Sequence, residues 1–267
     1  MFKIFLHLWI ILILTWDILP PAVPRASFDK MCVLFNIGAM MSHIAGDLNL
    51  DSDEGMKTAA KYFQQAAGCF AYIKDHVMSA SSREPTVDLT PDTTGALSLI
   101  MLAQAQEVFC LKATADKMKD ASIAKLANQA AENYNDAFKQ CQSRDNLPKE
   151  VLPLLAAKHS IYQATAQVHR ALLAKQQKNF GEEISRLQQA AELVKTVASR
   201  YDEYISVKEL SDKIGRSLTA AKKDNDFIYH DRVPDVKDLE PIGKVTLVKI
   251  VLPESPLSSK FSGLQQG

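Results

Sequence analysis

The stretch from Pro91 to Cys141 constrains the fold more than any other part of the sequence. Apolar residues recur through both of its halves at steps of three and four, the period of an amphipathic helix. They are Leu97, Ile100, Met101, Ala105, Val108 and Phe109 in the first half, and Ile123, Leu126, Ala127, Ala130, Ala131, Tyr134 and Phe138 in the second. The segment between the halves, Lys112–Asp120, is polar, as a solvent-facing junction between helices should be. A helical hairpin of this length cannot bury its own apolar faces, so the sequence predicts further helices on both sides of it.

Composition supports a helical protein without a strong electrostatic field. Hydrophobic residues make up 47% of the 267 residues, and only 10 are glycine. Ala, Leu, Lys and Gln are prominent, and these residues lose little conformational freedom in a helix. Because 31 basic residues balance 31 acidic ones, we expect no nucleic-acid partner, and only indirect contact with membranes unless the apolar amino-terminal leader is retained. The four cysteines are too far apart for a CxxC motif, which favours free thiols in a reducing, cytosolic compartment.

The rest of the chain predicts an all-α fold. Further helical patterns cover residues 26–50, 53–80, 149–178, 181–199 and 203–222. Short connections between antiparallel helices are typical of a tetratricopeptide-like solenoid. We find no strict 34-residue repeat, so the predicted solenoid is irregular. The prolines and the lost helical period after Lys223 predict an extended carboxy-terminal arm, laid on the helices through Phe227, Ile228, Leu239 and Ile242.

The first 26 residues differ in composition from the helical part of the chain. An uncharged run from Ile4 to Trp16 is too short to span a bilayer as a helix, which needs about 20 residues. It suits the apolar region of a signal peptide, but the cleavage signal is poor. Three interpretations remain open: a secretory signal, a short membrane-surface anchor, or a variant amino terminus without a targeting role. We favour the last, because the rest of the chain has a cytosolic character.

No pattern in the sequence indicates catalysis or metal binding. The GxGxxG, GxxxxGK[ST], HExxH and GxSxG motifs are missing, and the six histidines are not at ligand spacing. The acidic run Asp51–Glu54 superficially resembles a calcium loop, but Gly55 comes one position early and the twelfth position is Tyr62. The sequence therefore predicts a protein that is not an enzyme and that uses no cofactor or metal.

A binding surface has more support. Phe109 and Lys112 lie near the end of one predicted helix, while Ser122 and Leu126 lie one turn apart on the next. If the hairpin closes tightly, these side chains form a strip that Asp53 and Lys57 flank with one charge of each sign. Such a strip would receive an amphipathic helix from a partner. The alternative is that Phe109 and Leu126 are ordinary core residues beside a weak surface ion pair.

Several segments resemble the Bro domain family. They are CVLFN (32–36), SREPTVD (82–88), SLIMLAQAQEVF (98–109), IAKLANQAA (123–131), DAFKQCQ (136–142) and AAKKDNDFIYHDRVPD (220–235). The resemblance implies a boomerang-shaped helical domain with a tetratricopeptide-like core. Its concave face would bind the carboxy-terminal amphipathic helix of an ESCRT-III subunit. It also implies a role in endosomal sorting, multivesicular body formation and viral budding, in the cytoplasm and peripherally at endosomes.

The resemblance assigns roles to individual residues. The helix-binding positions of the family fall on Asp53, Lys57, Phe109, Lys112 and Leu126, and a tyrosine that Src-type kinases phosphorylate falls on Tyr229. On this basis residues 1–26 are a leader unrelated to the domain, residues 27–250 a partial Bro domain, and residues 251–267 a disordered tail.

Departures from the family bear on function. Ser122 stands where the family has an isoleucine, which predicts weakened helix binding. We also expect the chain to lack the amino-terminal part of the domain, the coiled-coil V domain and the Pro-rich tail. The leading hypothesis is a non-enzymatic adaptor. The alternatives are a membrane-tethered or secreted helical protein that has lost ESCRT binding, and a non-functional truncated gene copy.

Overall fold

A computed structural model describes residues 26–80, 85–143 and 146–252. Over these ranges the chain forms long helices and no strand. The helices are α1 (Ala26–Asp47), α2 (Asp53–Ala80), α3 (Pro91–Ala115), α4 (Asp120–Cys141), α5 (Val151–Gln176), α6 (Phe180–Arg200) and α7 (Lys208–Asp224). Single turns of other helix types cover Val87–Leu89, Asn225–Tyr229 and Val236–Asp238. The predicted leader lies outside the described residues except for Ala26, and so does the predicted tail after Leu252.

Each helix packs mainly against the helices that precede and follow it in the chain. This sequential pairing is the arrangement of a solenoid, and it confirms the predicted all-α, tetratricopeptide-like fold. One core cluster joins α1 to α5, and a second joins α5 to α7. Helix α3 has the length and mean hydropathy of a membrane span, but 72% of its most apolar window is buried inside this body. It is therefore the central core helix that the hairpin pattern predicted.

The turns after α3 and α5 have the same construction. After α3, the Met118 N–H donates to the Ala113 carbonyl at 3.0 Å, and Lys117 has a φ of 52°. After α5, the Asn179 N–H donates to the Ala174 carbonyl at 2.9 Å, and Lys178 has a φ of 62°. This bond pattern is the Schellman motif, which usually carries glycine in the left-handed position. Lysine replaces it in both turns, so the sequence carried no glycine signal for either helix end.

The chain beyond α7 lies across the helices through hydrogen bonds to its backbone. The side chain of Gln106 accepts the Leu247 N–H at 3.1 Å and donates to the Val245 carbonyl at 3.0 Å. Gln64 accepts the Lys249 N–H at 3.0 Å through its side chain and the Val251 N–H at 3.3 Å through its carbonyl. Residues 245–251 are thus bound to α2 and α3.

The predicted apolar contacts of this segment are only partly correct. Ile242 packs against the first core cluster, but Phe227 and Ile228 are 77% and 64% exposed. They lie in the turn Asn225–Tyr229, which is fixed instead by the buried Asn225 amide. That amide donates to the Asp231 carbonyl at 3.0 Å and accepts the Asp231 N–H at 2.9 Å. Hydrogen bonds rather than burial of Phe227 and Ile228 therefore position this part of the chain.

The backbone of the same segment, at Val251 and Leu252, lies directly against Gly68 of α2. A methyl group at Gly68 would lie 2.6 Å from the carbonyl carbon of Val251, and backbone atoms would have to move. We expect Gly68→Ala to lower the free energy of unfolding by about 1–3 kcal/mol and to expose the Val251 amide to hydrogen exchange. Gly215→Ala on α7 is the control, since nothing lies within 4 Å of that added methyl. Helix propensity should make the control neutral or slightly stabilising, and equal stability of both variants would contradict the prediction.

Candidate functional site

An apolar groove of about 300 Å³ lies where α2 and α4 flank the end of α3. Its walls come from α2, the end of α3, the turn after α3, α4 and the carboxy-terminal segment. The lining residues are Met56, Lys57, Ala60, Lys61, Gln64, Val108, Phe109, Lys112, Ala113, Asp116, Met118, Leu126, Leu247 and Val251. Most of the lining residues are apolar, and the charged ones are Lys57, Lys61, Lys112 and Asp116. An apolar surface with charged side chains beside it fits an amphipathic helix, which has one apolar and one polar face.

The structure brings most of the predicted site residues to this groove. Lys57, Phe109, Lys112 and Leu126 all line it, with Phe109 half-buried and Leu126 almost fully buried. Phe109 and Leu126 thus belong to the core and to the groove at once, and the two interpretations of these residues are not exclusive. Ser122 is half-buried one turn before Leu126 on α4 and is not among the lining residues.

Asp53 contributes through its charge rather than by lining the groove. Its carboxylate accepts hydrogen bonds from Lys112 and from Lys57, the latter at 2.6 Å, and Lys112 also pairs with Asp116 at 2.9 Å. The Lys112 and Lys57 ammonium groups hold the pKa of Asp53 below its usual range. The Asp53 and Asp116 carboxylates in turn raise the pKa of Lys112. These pairs fix two cationic side chains beside the apolar floor.

This arrangement predicts how Asp53 titrates. A carboxylate whose pKa is lowered in the folded state adds stability above its unfolded pKa, and this contribution is lost as pH falls through the folded pKa. Lys112→Met removes the largest cause of the shift, so the pKa of Asp53 should rise towards the ordinary value of about 3.9. NMR titration of the Asp53 carboxyl carbon measures it. Lys61→Met, in the same groove but without a bond to Asp53, is the control and should leave the titration unchanged.

Sequence reasoning missed the wall that the carboxy-terminal segment provides. Leu247 and Val251 line the groove although they are more than 120 residues from Phe109 and Leu126 in the chain. Their placement depends on backbone N–H groups of this segment that donate hydrogen bonds to Gln64 and Gln106. The apolar run VTLVKIVL (245–252) was the only available signal, and nothing local in it indicates which helices it contacts.

A cluster of buried polar side chains surrounds Glu107, which lies two residues before Phe109 on α3. The Glu107 carboxylate accepts hydrogen bonds from Tyr134 and Lys158, and all three side chains are at most 10% exposed. Burial, followed by the negative charge of Glu107, raises the pKa of Tyr134 and of Tyr162 well above the usual range. The cluster borders a second cavity of about 600 Å³ between α3, α5 and α7. Within the part of the chain that the structure describes, no group of three or more His, Cys, Asp or Glu side chains is placed to hold a metal.

Comparison with known proteins decides the family. The BRO1-like domain matches residues 21–265. The chain belongs to this family. It is 68% identical over 243 residues to the programmed cell death 6-interacting protein of Homo sapiens, and 38% identical over 240 residues to the apoptosis-linked gene 2-interacting protein X 1 of Caenorhabditis elegans. These matches cover 91% and 88% of this chain but only 28% and 27% of the relatives, so the chain spans little more than a quarter of their length.

Solved structures of the family have the same fold. The chain matches the structure described as an ALIX BRO1 CHMP4C complex with a TM-score of 0.87 and 68% identity, covering 90% of this chain and 68% of that one. A structure concerned with endosomal targeting by the Bro1 domain matches with a TM-score of 0.74 at 24% identity, which shows the shared fold. The BRO1-like domain is a scaffold domain rather than an enzyme family, in agreement with the prediction from the sequence.

Proposed function

We propose that this chain is a non-enzymatic adaptor domain whose groove binds the amphipathic carboxy-terminal helix of an ESCRT-III subunit. The observation that carries the proposal is the groove itself, with Phe109 and Leu126 in its apolar lining and Lys57 and Lys112 beside them. The family supports an ESCRT-related scaffold role, and a BRO1 domain with 68% identity has been solved as a complex with CHMP4C. We infer from this a cytoplasmic protein that is recruited to endosomes through its partner, in endosomal sorting, multivesicular body formation and viral budding.

The residues that line the groove indicate how it would bind a helix. The partner's apolar face would lie against Phe109 and Leu126, and the cations of Lys57 and Lys112 would favour acidic residues at the edge of that face. Asp53 forms an ion pair with each of these two lysines. Ser122 lies one turn before Leu126 on α4, where a serine offers little apolar area. We infer that the groove binds its partner more weakly than one with isoleucine at this position.

The test is binding of a fluorescent ESCRT-III carboxy-terminal helix to the full chain. Ser122→Ile should tighten binding about tenfold to a hundredfold, since a buried isoleucine contributes roughly 1.5–3 kcal/mol. Ser217→Ile, at an exposed position on α7, is the matched control and should leave the affinity unchanged. Tight binding by the unmodified chain would refute the weakening, and no binding by a folded Ser122→Ile variant would refute the adaptor proposal.

We propose in addition that Tyr229 is a substrate of a Src-type kinase. Its side chain is 42% exposed at the end of the turn Asn225–Tyr229, which supports access by an enzyme. The ring stacks on Phe180 with centroids 3.5 Å apart and planes at 9°. A kinase would have to separate the two rings, so Phe180→Ala should increase the rate of phosphorylation by a purified Src-type kinase.

A further inference from the structure

Helix α1 carries apolar side chains on two opposite faces. One face packs on α2, where the Phe35 ring contacts Phe70 edge-on with centroids 5.4 Å apart. Apolar side chains recur on the other face at steps of four, three and four residues, and we call them the α1 stripe: Val33, Ile37, Met40 and Ile44. The first, third and fourth of them are 56%, 60% and 41% exposed, and the second is half-buried. The α1 stripe is therefore an apolar surface that α2 does not cover.

The α1 stripe lies at one end of the stack of helices. Among the described residues, the main contacts of α1 are with α2 and with the turn Val87–Leu89. The terminal helix of a solenoid normally has a polar outer face, because no further helix packs on it. The outer face of α1 is instead apolar over about 17 Å, from Val33 to Ile44 at 1.5 Å per residue. A contiguous apolar surface of this kind indicates an interaction site.

The spacing of the α1 stripe indicates that its partner is a helix. Alternating steps of four and three residues are the pattern by which one helix packs along another in a coiled coil. The same spacing continues to Lys30, three residues before Val33, and to Asp47, three residues after Ile44. Residues 31–42 carry no charged side chain. The α1 stripe thus begins at a cation and ends at an anion.

We propose that the α1 stripe binds the α1 stripe of a second copy of this chain, with the two helices antiparallel. A two-fold axis midway between positions 38 and 39 places Ile37 of each copy opposite Met40 of the other, and Val33 opposite Ile44. A closed dimer of this kind uses the same surface on both copies, so every apolar side chain of the α1 stripe meets another one.

Charge at the two ends of the α1 stripe selects the antiparallel orientation. The same two-fold axis places Lys30 of each copy opposite Asp47 of the other, so the dimer gains two ion pairs. Both side chains are exposed; within its own chain Lys30 donates to the Tyr72 hydroxyl at 2.9 Å, and Asp47 lies 3.6 Å from His43. In a parallel dimer the two lysines would face each other, and so would the two aspartates, which opposes that arrangement.

The proposed dimer is weak and leaves the groove of each copy open. Four apolar side chains per copy bury less than the about 800 Å² per partner of a standard interface, so we expect a dissociation constant on the order of 100 µM. No residue of α1 lines the groove, so the dimer carries two accessible grooves.

Sedimentation equilibrium of the full chain at low ionic strength tests the register through charge reversal. Lys30→Glu and Asp47→Lys each place like charges opposite each other twice in the dimer, so each should raise the dissociation constant about tenfold. The Lys30→Glu/Asp47→Lys double variant restores both pairs with exchanged signs and should recover the original affinity. Ile44→Asp, which places a charge in the α1 stripe, should abolish the dimer.

Disulfide formation between differently substituted chains tests the contact directly. We mix chains that carry Val33→Cys with chains that carry Ile44→Cys, both in a Cys32→Ser background. These positions are opposite in the proposed dimer, whereas two copies of position 33 are about 17 Å apart along the helices, too far for a disulfide. The mixture should therefore form disulfides at least about tenfold faster than Val33→Cys alone. Ser217→Cys, at an exposed position on α7, gives the rate of random collision.

Three results would overturn the proposal. The first is a full chain that stays monomeric, with a mixture that forms disulfides no faster than the Ser217→Cys variant. The second is an Ile44→Asp variant that associates as strongly as the unmodified chain, since association would then use another part of the chain. The third is a Val33→Cys variant that links to itself as fast as the mixture forms disulfides, which would exclude the antiparallel register.

Discussion

Replacing Lys158 by methionine should lower the free energy of unfolding by about 3–5 kcal/mol, because it leaves the charge of Glu107 buried without its cationic partner. Lys158 is 2% exposed, and its ammonium group donates to the Glu107 carboxylate on α3. Tyr134 donates to the same carboxylate, but a neutral hydroxyl compensates a buried charge less well than an ammonium group. Urea unfolding followed by circular dichroism measures the change.

Two further variants separate the ion pair from simple loss of packing. Glu107→Gln combined with Lys158→Met removes both charges and keeps an acceptor for Tyr134, so it should recover at least 2 kcal/mol relative to Lys158→Met alone. Lys195→Met breaks the pair with Glu192 at 4.0 Å, in which the two side chains are 77% and 76% exposed. That loss should stay below about 1 kcal/mol. A Lys158→Met variant as stable as Lys195→Met would contradict the prediction.

Glu107 is an example of a structural feature that could not be predicted from the sequence. Apolar periodicity predicted the hairpin Pro91–Cys141, the helix ranges and the solenoid. Each helix packs on its neighbours in the chain, so the face that it buries is the one along which its own apolar residues recur. Glu107 does not follow from this periodicity, because its carboxylate is buried between α3, α4 and α5. Tyr134 and Lys158 lie 27 and 51 residues away from it in the chain, and no local pattern pairs them with it.

The same distinction applies to the groove. Phe109, Lys112 and Leu126 meet because a single turn connects their helices, so adjacency in sequence was enough to place them together. Leu247 and Val251 reach the groove only because Gln64 and Gln106 bind the backbone of their segment. Phe227 and Ile228 were wrongly expected to anchor this segment, since apolar character alone does not specify which surface a side chain meets.

Phe109→Ala should weaken binding of an ESCRT-III carboxy-terminal helix about thirtyfold to a hundredfold. The Phe109 ring lines the groove beside Val108 and Lys112, half-buried, so it offers a large apolar surface at the centre of the proposed interface. Truncating an aromatic residue at such a position typically costs about 2–3 kcal/mol of binding free energy. Fluorescence anisotropy with the full chain measures the affinity, with Ser122→Ile as the background so that binding is strong enough to follow.

Phe138→Ala is the matched control. Phe138 is also half-buried against the first core cluster, but it lies at the other end of α4 and does not line the groove. Both substitutions create a similar cavity, so we expect similar losses of unfolding free energy of about 1–3 kcal/mol, reduced from fully buried values by the partial exposure. Only Phe109→Ala should weaken the helix complex, because only its ring faces the space that the partner would fill. If both variants lost affinity in proportion to their stability, the effect would report the integrity of the fold, and Phe109 would have to be removed from the proposed interface.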